Sequence, residues 1–108
     1  MKYYIETFTP KQAWLDLPKE ERAAYMTRVG LSSQPFLDEG GEVVLMSEND
    51  SDTVKGLNHR YFVVWKFMSD QSAKSFEALG IREGWYDYFD QFNLKGSPSD
   101  IIDTLVNI

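Results

Sequence analysis

Apolar and polar positions alternate loosely from Tyr3 to Phe8, in a stretch rich in aromatic and β-branched residues, which predicts a first strand. Tyr4, Glu6 and Phe8 share one face of it, and Tyr3, Ile5 and Thr7 the other. Thr9-Pro10-Lys11-Gln12 then has the pattern of a helix start, with Thr9 as N-cap and Pro10 at the first helical position, opening a short turn that carries Trp14 and Leu15. After Pro18 a long helix is predicted from Lys19 to about Ser33. Glu20 and Glu21 stand in its first turn, and Leu17, Ala24, Tyr25, Val29 and Leu31 form its core side. Pro35 bends or ends it, and Gly40-Gly41 closes the segment. Glu42 to Ser47 is a short apolar run suited to a second strand.

Glu48 to Asn58 is polar and acidic and is expected as a long loop. His59 to Phe67 is apolar at both parities, which predicts a strand in the middle of the sheet. Ser69 caps a second helix, with Ala73, Phe76 and Leu79 as its buried stripe and Gly84 as its C-terminal glycine. The following segment, Gly84 to Leu94, holds Trp85, Tyr86, Tyr88, Phe89 and Phe92 and is expected as the last strand, running from Tyr86. Rings of that size each bury about 150–250 Å² when they pack, so the rest of the chain must be arranged around them. Ser97-Pro98-Ser99-Asp100 caps a terminal helix whose Ile101, Ile102, Leu105, Val106 and Ile108 require a surface to dock on.

The order strand-helix-strand-strand-helix-strand predicts an α+β fold, the ferredoxin-like βαββαβ sandwich: a four-stranded antiparallel sheet, two helices on one face, and an extra C-terminal helix. Residues 1–108 form a single domain. The strands are apolar at both parities, so the face without helices would be a large greasy surface on a monomer. A two-fold homodimer packed sheet on sheet covers it.

Charge and composition narrow the function classes. A formal charge of −6, with the Lys and Arg residues scattered, argues against nucleic acid and against an anionic membrane surface. Without cysteine there is no disulfide framework, thiolate metal site or cysteine nucleophile. No apolar run near the N-terminus suits a signal peptide, so a cytoplasmic protein is expected. No phosphate-binding glycine loop, His-Glu-x-x-His or Gly-x-Ser-x-Gly occurs, and the Glu48–Asp52 acids lack the glycine and distal glutamate of a calcium loop.

Two residues are candidates for catalysis. Glu6 sits mid-strand between Tyr4 and Phe8, where burial raises a carboxyl pKa toward proton-transfer use; the competing reading pairs it with Arg60 or Lys66 across neighbouring strands. His59 is the single histidine, the one residue type whose unperturbed side chain changes charge near neutrality, which suits a general acid or base; the competing reading is a loop-end residue bonded to Glu48 or Asp50. Tyr4, Trp14, Arg60, Trp65, Tyr86 and Tyr88 are the expected lining of a pocket between sheet and helices, with core or dimer interface as the alternative use of each ring.

The element order, the length and the Gly84-Trp85-Tyr86-Asp87-Tyr88-Phe89 segment after the second helix are similar to the dimeric α/β-barrel superfamily. Within it the chain resembles a small bacterial family, functionally uncharacterised, that opens with a Tyr-Tyr-Ile-Glu-Thr strand and carries the same aromatic block. That resemblance implies a homodimer and offers several activities: cofactor-free monooxygenase, haem-degrading enzyme, small isomerase or decarboxylase, and ligand-sensing regulator. A haem-degrading site would need a histidine on a helix lining the pocket, and neither long helix has one. The combined expectation is a small-molecule-binding dimer with no metal and no cofactor. It would act as a cofactor-independent enzyme, monooxygenase- or isomerase-like, on a small aromatic or enolisable compound; the alternative is a non-catalytic structural or ligand-sensing module.

Overall fold

The computed structural model describes all residues, Met1–Ile108. Its strands are β1 (Lys2–Pro10), β2 (Glu42–Glu48), β3 (Tyr61–Phe67) and β4 (Phe89–Gly96). Its helices are α1 (Gln12–Leu15), α2 (Lys19–Asp38), α3 (Asp70–Arg82), α4 (Trp85–Tyr88) and α5 (Ile101–Val106). The sheet order is β2-β3-β1-β4 and every pairing is antiparallel, the arrangement of a ferredoxin-like α+β fold. The two strands with apolar residues at both parities, β1 and β3, are the inner ones, as a strand covered on both sides by neighbours should be.

Register sorts the side chains onto two faces. Tyr4, Glu6 and Phe8 of β1 are buried beneath the helices, while Tyr3, Ile5 and Thr7 point to the opposite, outer face. Two small cores result. Tyr4, Phe67 and Ala73 pack together, with Phe36, Trp65 and Phe76 against them. Phe8, Val63 and Phe89 form the other, walled by Trp14, Tyr61, Trp65, Trp85 and Tyr88.

Several local expectations are corrected. Thr9 does not cap a helix: β1 continues through Pro10, and Thr9 Oγ1 accepts a hydrogen bond from the Arg60 backbone N–H at 3.0 Å. The β-ladder with Phe89 and Asp90 holds this end extended, overriding the local cap pattern. Helix α2 runs past Pro35 to Asp38, and the turn after the proline closes with Glu39 N–H to Pro35 O and Gly41 N–H to Phe36 O. Proline removes only the bond to the carbonyl of Leu31, a residue 72% exposed and so open to solvent. Leu31 and Ala24 accordingly face solvent, not the core.

The aromatic block is not strand from its start. Trp85–Tyr88 is one helical turn, entered through Gly84 in the left-handed region (φ 71°), and β4 begins only at Phe89. The turn is held from far away in sequence: Lys11 donates its backbone N–H to Tyr88 O at 2.8 Å and its Nζ to Tyr86 O at 2.7 Å. Those carbonyls would otherwise lack partners, as at any helix end. His59 and Arg60 precede β3 and do not belong to it. The expected caps at Ser69 and Asp100 are present, accepting from Ser72 N–H and Asp103 N–H.

Candidate functional site

Helix α2 lies over the sheet without closing on it. Its cavity-facing stripe is Met26, Val29, Gly30, Ser33 and Leu37, and the two smallest of these leave space where larger side chains would fill it. Helix α3 contributes Phe76, Glu77, Leu79 and Gly80, the glycine lying in its last turn. Between these helices and the sheet is a cavity of about 570 Å³. That is within the roughly 300–1,000 Å³ usual for small-molecule sites. Its walls are mostly apolar, with Phe8, Trp14, Tyr61, Trp65, Trp85 and Phe89 supplying rings.

Glu6 is the buried carboxyl of this cavity, 7% exposed. Trp65 Nε1 donates to Glu6 Oε1 at 2.7 Å, and Gln91 Nε2 donates to Oε2 at 2.8 Å. The orientation of Gln91 follows from chemistry: its Oε1 accepts from Trp85 Nε1 at 2.7 Å, and an indole can only donate, so the amide NH₂ must face Glu6. Gln91 Nε2 also donates to Asn93 Oδ1, and Asn93 Nδ2 donates to Tyr86 Oη at 3.3 Å. A polar string thus runs from Trp65 through Glu6, Gln91 and Asn93 to Tyr86.

Burial pushes the Glu6 carboxyl above its ordinary value, although the bonds from Gln91 and Trp65 favour the ionised form and pull the other way. No basic side chain pairs with it. The expected alternative partners are elsewhere: Lys66 reaches Glu42 at 3.6 Å, and the Arg60 guanidinium lies 5.2 Å from the Tyr61 ring centre. Both contacts of Glu6 are donors, so when it is protonated its O–H finds no acceptor in them and is offered to the cavity.

Of the residues expected at the site, Glu6, Trp14, Trp65 and Tyr86 line this one cavity. Tyr4 is behind the wall, 1% exposed, and its hydroxyl donates to the cavity-lining Glu77 Oε2 at 3.0 Å. Tyr88 packs on Trp14 and Tyr25 with ring centres 5.4 and 5.1 Å away, bracing the wall from outside.

His59 is on the other side of the sheet from Glu6. Its Nδ1 is 2.9 Å from Thr7 Oγ1, and its ring stacks on Phe92 at 5.0 Å. Thr7 Oγ1 also lies 3.0 Å from Phe92 O, and the other ring nitrogen, Nε2, faces Asp90 Oδ2 at 3.6 Å. The loop acids Glu48 and Asp50 do not hold the ring; instead Asn49 Nδ2 donates to His59 O at 2.8 Å. His59 and Glu6 therefore cannot act on one molecule within a chain, and Arg60 is exposed outside the cavity.

The residues that sequence reasoning missed are Gln91 and Asn93, which orient Glu6, and Gly30, Ser33 and Gly80, which make the space. A glycine in the interior of a helix, as Gly30 is in α2, costs roughly 1 kcal/mol relative to alanine, a signal that helix stability alone does not account for it. No group of three or more His, Asp or Glu side chains is gathered where it could hold a metal ion. No helix is long and apolar enough to cross a membrane.

Comparisons with solved structures support the fold. A DABB family protein with a ferredoxin-like fold from Mesorhizobium loti superposes with a TM-score of 0.53 at 9% identity, over 92% of this chain and 97% of that one. A protein of Arabidopsis thaliana superposes with a TM-score of 0.58 at 7% identity, over 94% and 98% of the two chains. At such identities the likeness is one of fold alone. No curated protein matches the sequence. One family model matches residues 1–108, the whole of the chain, which therefore belongs to the family of unknown function DUF6616.

Proposed function

We propose that this chain binds a small, largely apolar molecule in the cavity between α2, α3 and the sheet, and that Glu6 exchanges a proton with it. The observation that carries the reading is a buried carboxyl with no basic partner, held in place by Trp65 and Gln91 on the wall of an aromatic cavity. A carboxylate whose pKa is raised is a stronger base and, once protonated, a usable acid near neutrality. The substrate class that suits it is an aromatic or enolisable carbon acid. Rings hold its body, and Glu6 takes the proton from carbon and returns it at another position, with no cofactor. The working unit is a homodimer joined through the outer sheet face, which keeps the cavity side free.

Benzoylacetone, an aromatic enolisable diketone, tests this directly. In D₂O the wild type is expected to accelerate exchange of its central C–H protons, followed by NMR, and to gain thermal stability from it by mass action. Glu6→Gln is expected to keep most of the stabilisation and to lose exchange by about 10²–10⁴-fold, the usual contribution of a positioned proton-transfer group. Stabilisation with wild-type exchange equal to buffer would leave a binding module without catalysis. Absence of both would remove the reading.

A further inference from the structure

The charged side chains that line the cavity are all acidic. The ionisable side chains on its wall are Glu6, Glu77, Glu83 and the phenols of Tyr61 and Tyr86, with no Lys, Arg or His among them. Glu83 is matched by Arg28, whose Nε is 2.9 Å from Oε2. Glu6 and Glu77 have neutral partners only: Trp65 and Gln91 for the first, Tyr4 for the second. Their influence reaches a common point, because the Tyr4 hydroxyl is held above its ordinary value by burial first and then by the bond and charge of Glu77 and the charges of Tyr86 and Glu6. Two carboxyl groups on an apolar wall without a basic partner give it negative potential whenever they are ionised, and a bound cation favours that ionised form.

Three ligand charges can be weighed against that wall. A carboxylate or phosphate would enter against both carboxylates and find no cationic donor. A neutral molecule would leave the carboxylates as they stand. A protonated amine would supply the missing counter-charge and would also meet tryptophan and tyrosine π-systems, which attract cations, most strongly where water is excluded. We infer that the ligand of this cavity is an organic cation, a protonated amine carried on an apolar, ring-sized body. The inference rests on the binding part of the reading above and specifies its ligand class; it does not depend on proton transfer.

Three indoles that differ only in the side-chain end group separate the two claims: tryptamine (cation), tryptophol (neutral) and indole-3-acetate (anion). Calorimetric titration of the wild type at neutral pH is expected to show tryptamine binding at least tenfold more tightly than tryptophol, with no measurable binding of indole-3-acetate. In Glu6→Gln/Glu77→Gln the tenfold preference should shrink to less than about threefold, with tryptophol affinity kept. If the double variant does not fold, Glu77→Gln alone should already narrow the preference. Equal affinity for tryptamine and tryptophol, or binding of indole-3-acetate, would overturn the cation and leave the cavity standing. A preference that survives loss of the carboxylates would overturn it too. Silence from all three indoles would overturn the cavity itself along with the inference.

Discussion

Glu6 touches only donors, and burial still dominates its ionisation. Its folded-state pKa is raised above the ordinary 4.5, so between 4.5 and the raised value the folded chain keeps a proton that the unfolded chain releases. Stability supplied by this site is therefore present below 4.5 and is lost as pH climbs through the raised pKa. Glu6→Gln removes that titration. It also converts one acceptor oxygen into an NH₂ that must face the N–H of either Trp65 or Gln91, a loss of about 1–3 kcal/mol for the unsatisfied pair. The melting temperature of the wild type minus that of Glu6→Gln is expected to shrink as pH rises from 4.5 toward 8, measured by differential scanning fluorimetry. A constant difference would mean that Glu6 is not perturbed. The residue itself was visible in the sequence as a lone acid between two aromatics on one strand face. Its partners were not: Trp65 and Gln91 are 59 and 85 positions away and reach it diagonally, across a register that only the folded sheet defines.

At the scale of elements, α2 combines a rigid scaffold with deliberate omissions. A Cβ added at Gly30 would meet nothing within 4 Å, because the residue opens into the cavity. Gly30→Ala is expected to stabilise the protein by about 0.5–1 kcal/mol through helix propensity, while Gly30→Leu should fill the space and abolish tryptamine binding in a folded protein. Gly41, at the entry to β2, behaves oppositely: its Cβ would stand 2.6 Å from Phe36 O and 3.2 Å from Lys66 O. Both are backbone atoms, so Gly41→Ala should cost about 1–3 kcal/mol, read as a lower urea midpoint at unchanged slope. Alternation and caps located all four strands, α3 and α5 because those signals are local. They failed where the deciding contact is distant. The alternation of its rings predicts strand for Tyr86–Tyr88, but it is a helical turn, held by Lys11 from 75 residues away in one case. Pro35 is expected to bend or end the helix, yet α2 runs on to Asp38 with the loss of one backbone bond near its exposed end.

The whole molecule measures 51 × 36 × 19 Å with a radius of gyration of 15.6 Å. A compact domain of this length has about 13 Å. The excess fits a chain whose C-terminal segment stands away from the body: Ile101, Ile102, Leu105, Val106 and Ile108 are 61–101% exposed. The outer sheet face is apolar as well, with Phe92 and Leu94 each 65% exposed beside Tyr3 and Ile5. Sedimentation is expected to return a dimer, and Leu94→Asp is expected to give a folded monomer with an unchanged far-ultraviolet circular dichroism spectrum. A wild type that sediments as a monomer at all concentrations would remove the dimer. That this face would be apolar was legible from apolar residues at both strand parities, and Phe92 and Leu94 are exposed there; what covers it is not a property of one chain's sequence pattern.

All three tryptophans of the chain, Trp14, Trp65 and Trp85, stand on the wall of the same cavity, and none is elsewhere. The protein is consequently its own optical probe. Every photon of indole emission originates beside the space a ligand would enter, so occupancy should change intensity or wavelength without any attached dye. Trp65 donates directly to Glu6, and a protonated carboxyl quenches indole emission more strongly than an ionised one. A plain fluorescence titration against pH should therefore respond to the ionisation of Glu6, a response that Glu6→Gln should remove, and the displacement of that curve by an added compound would report the charge the compound brings with it.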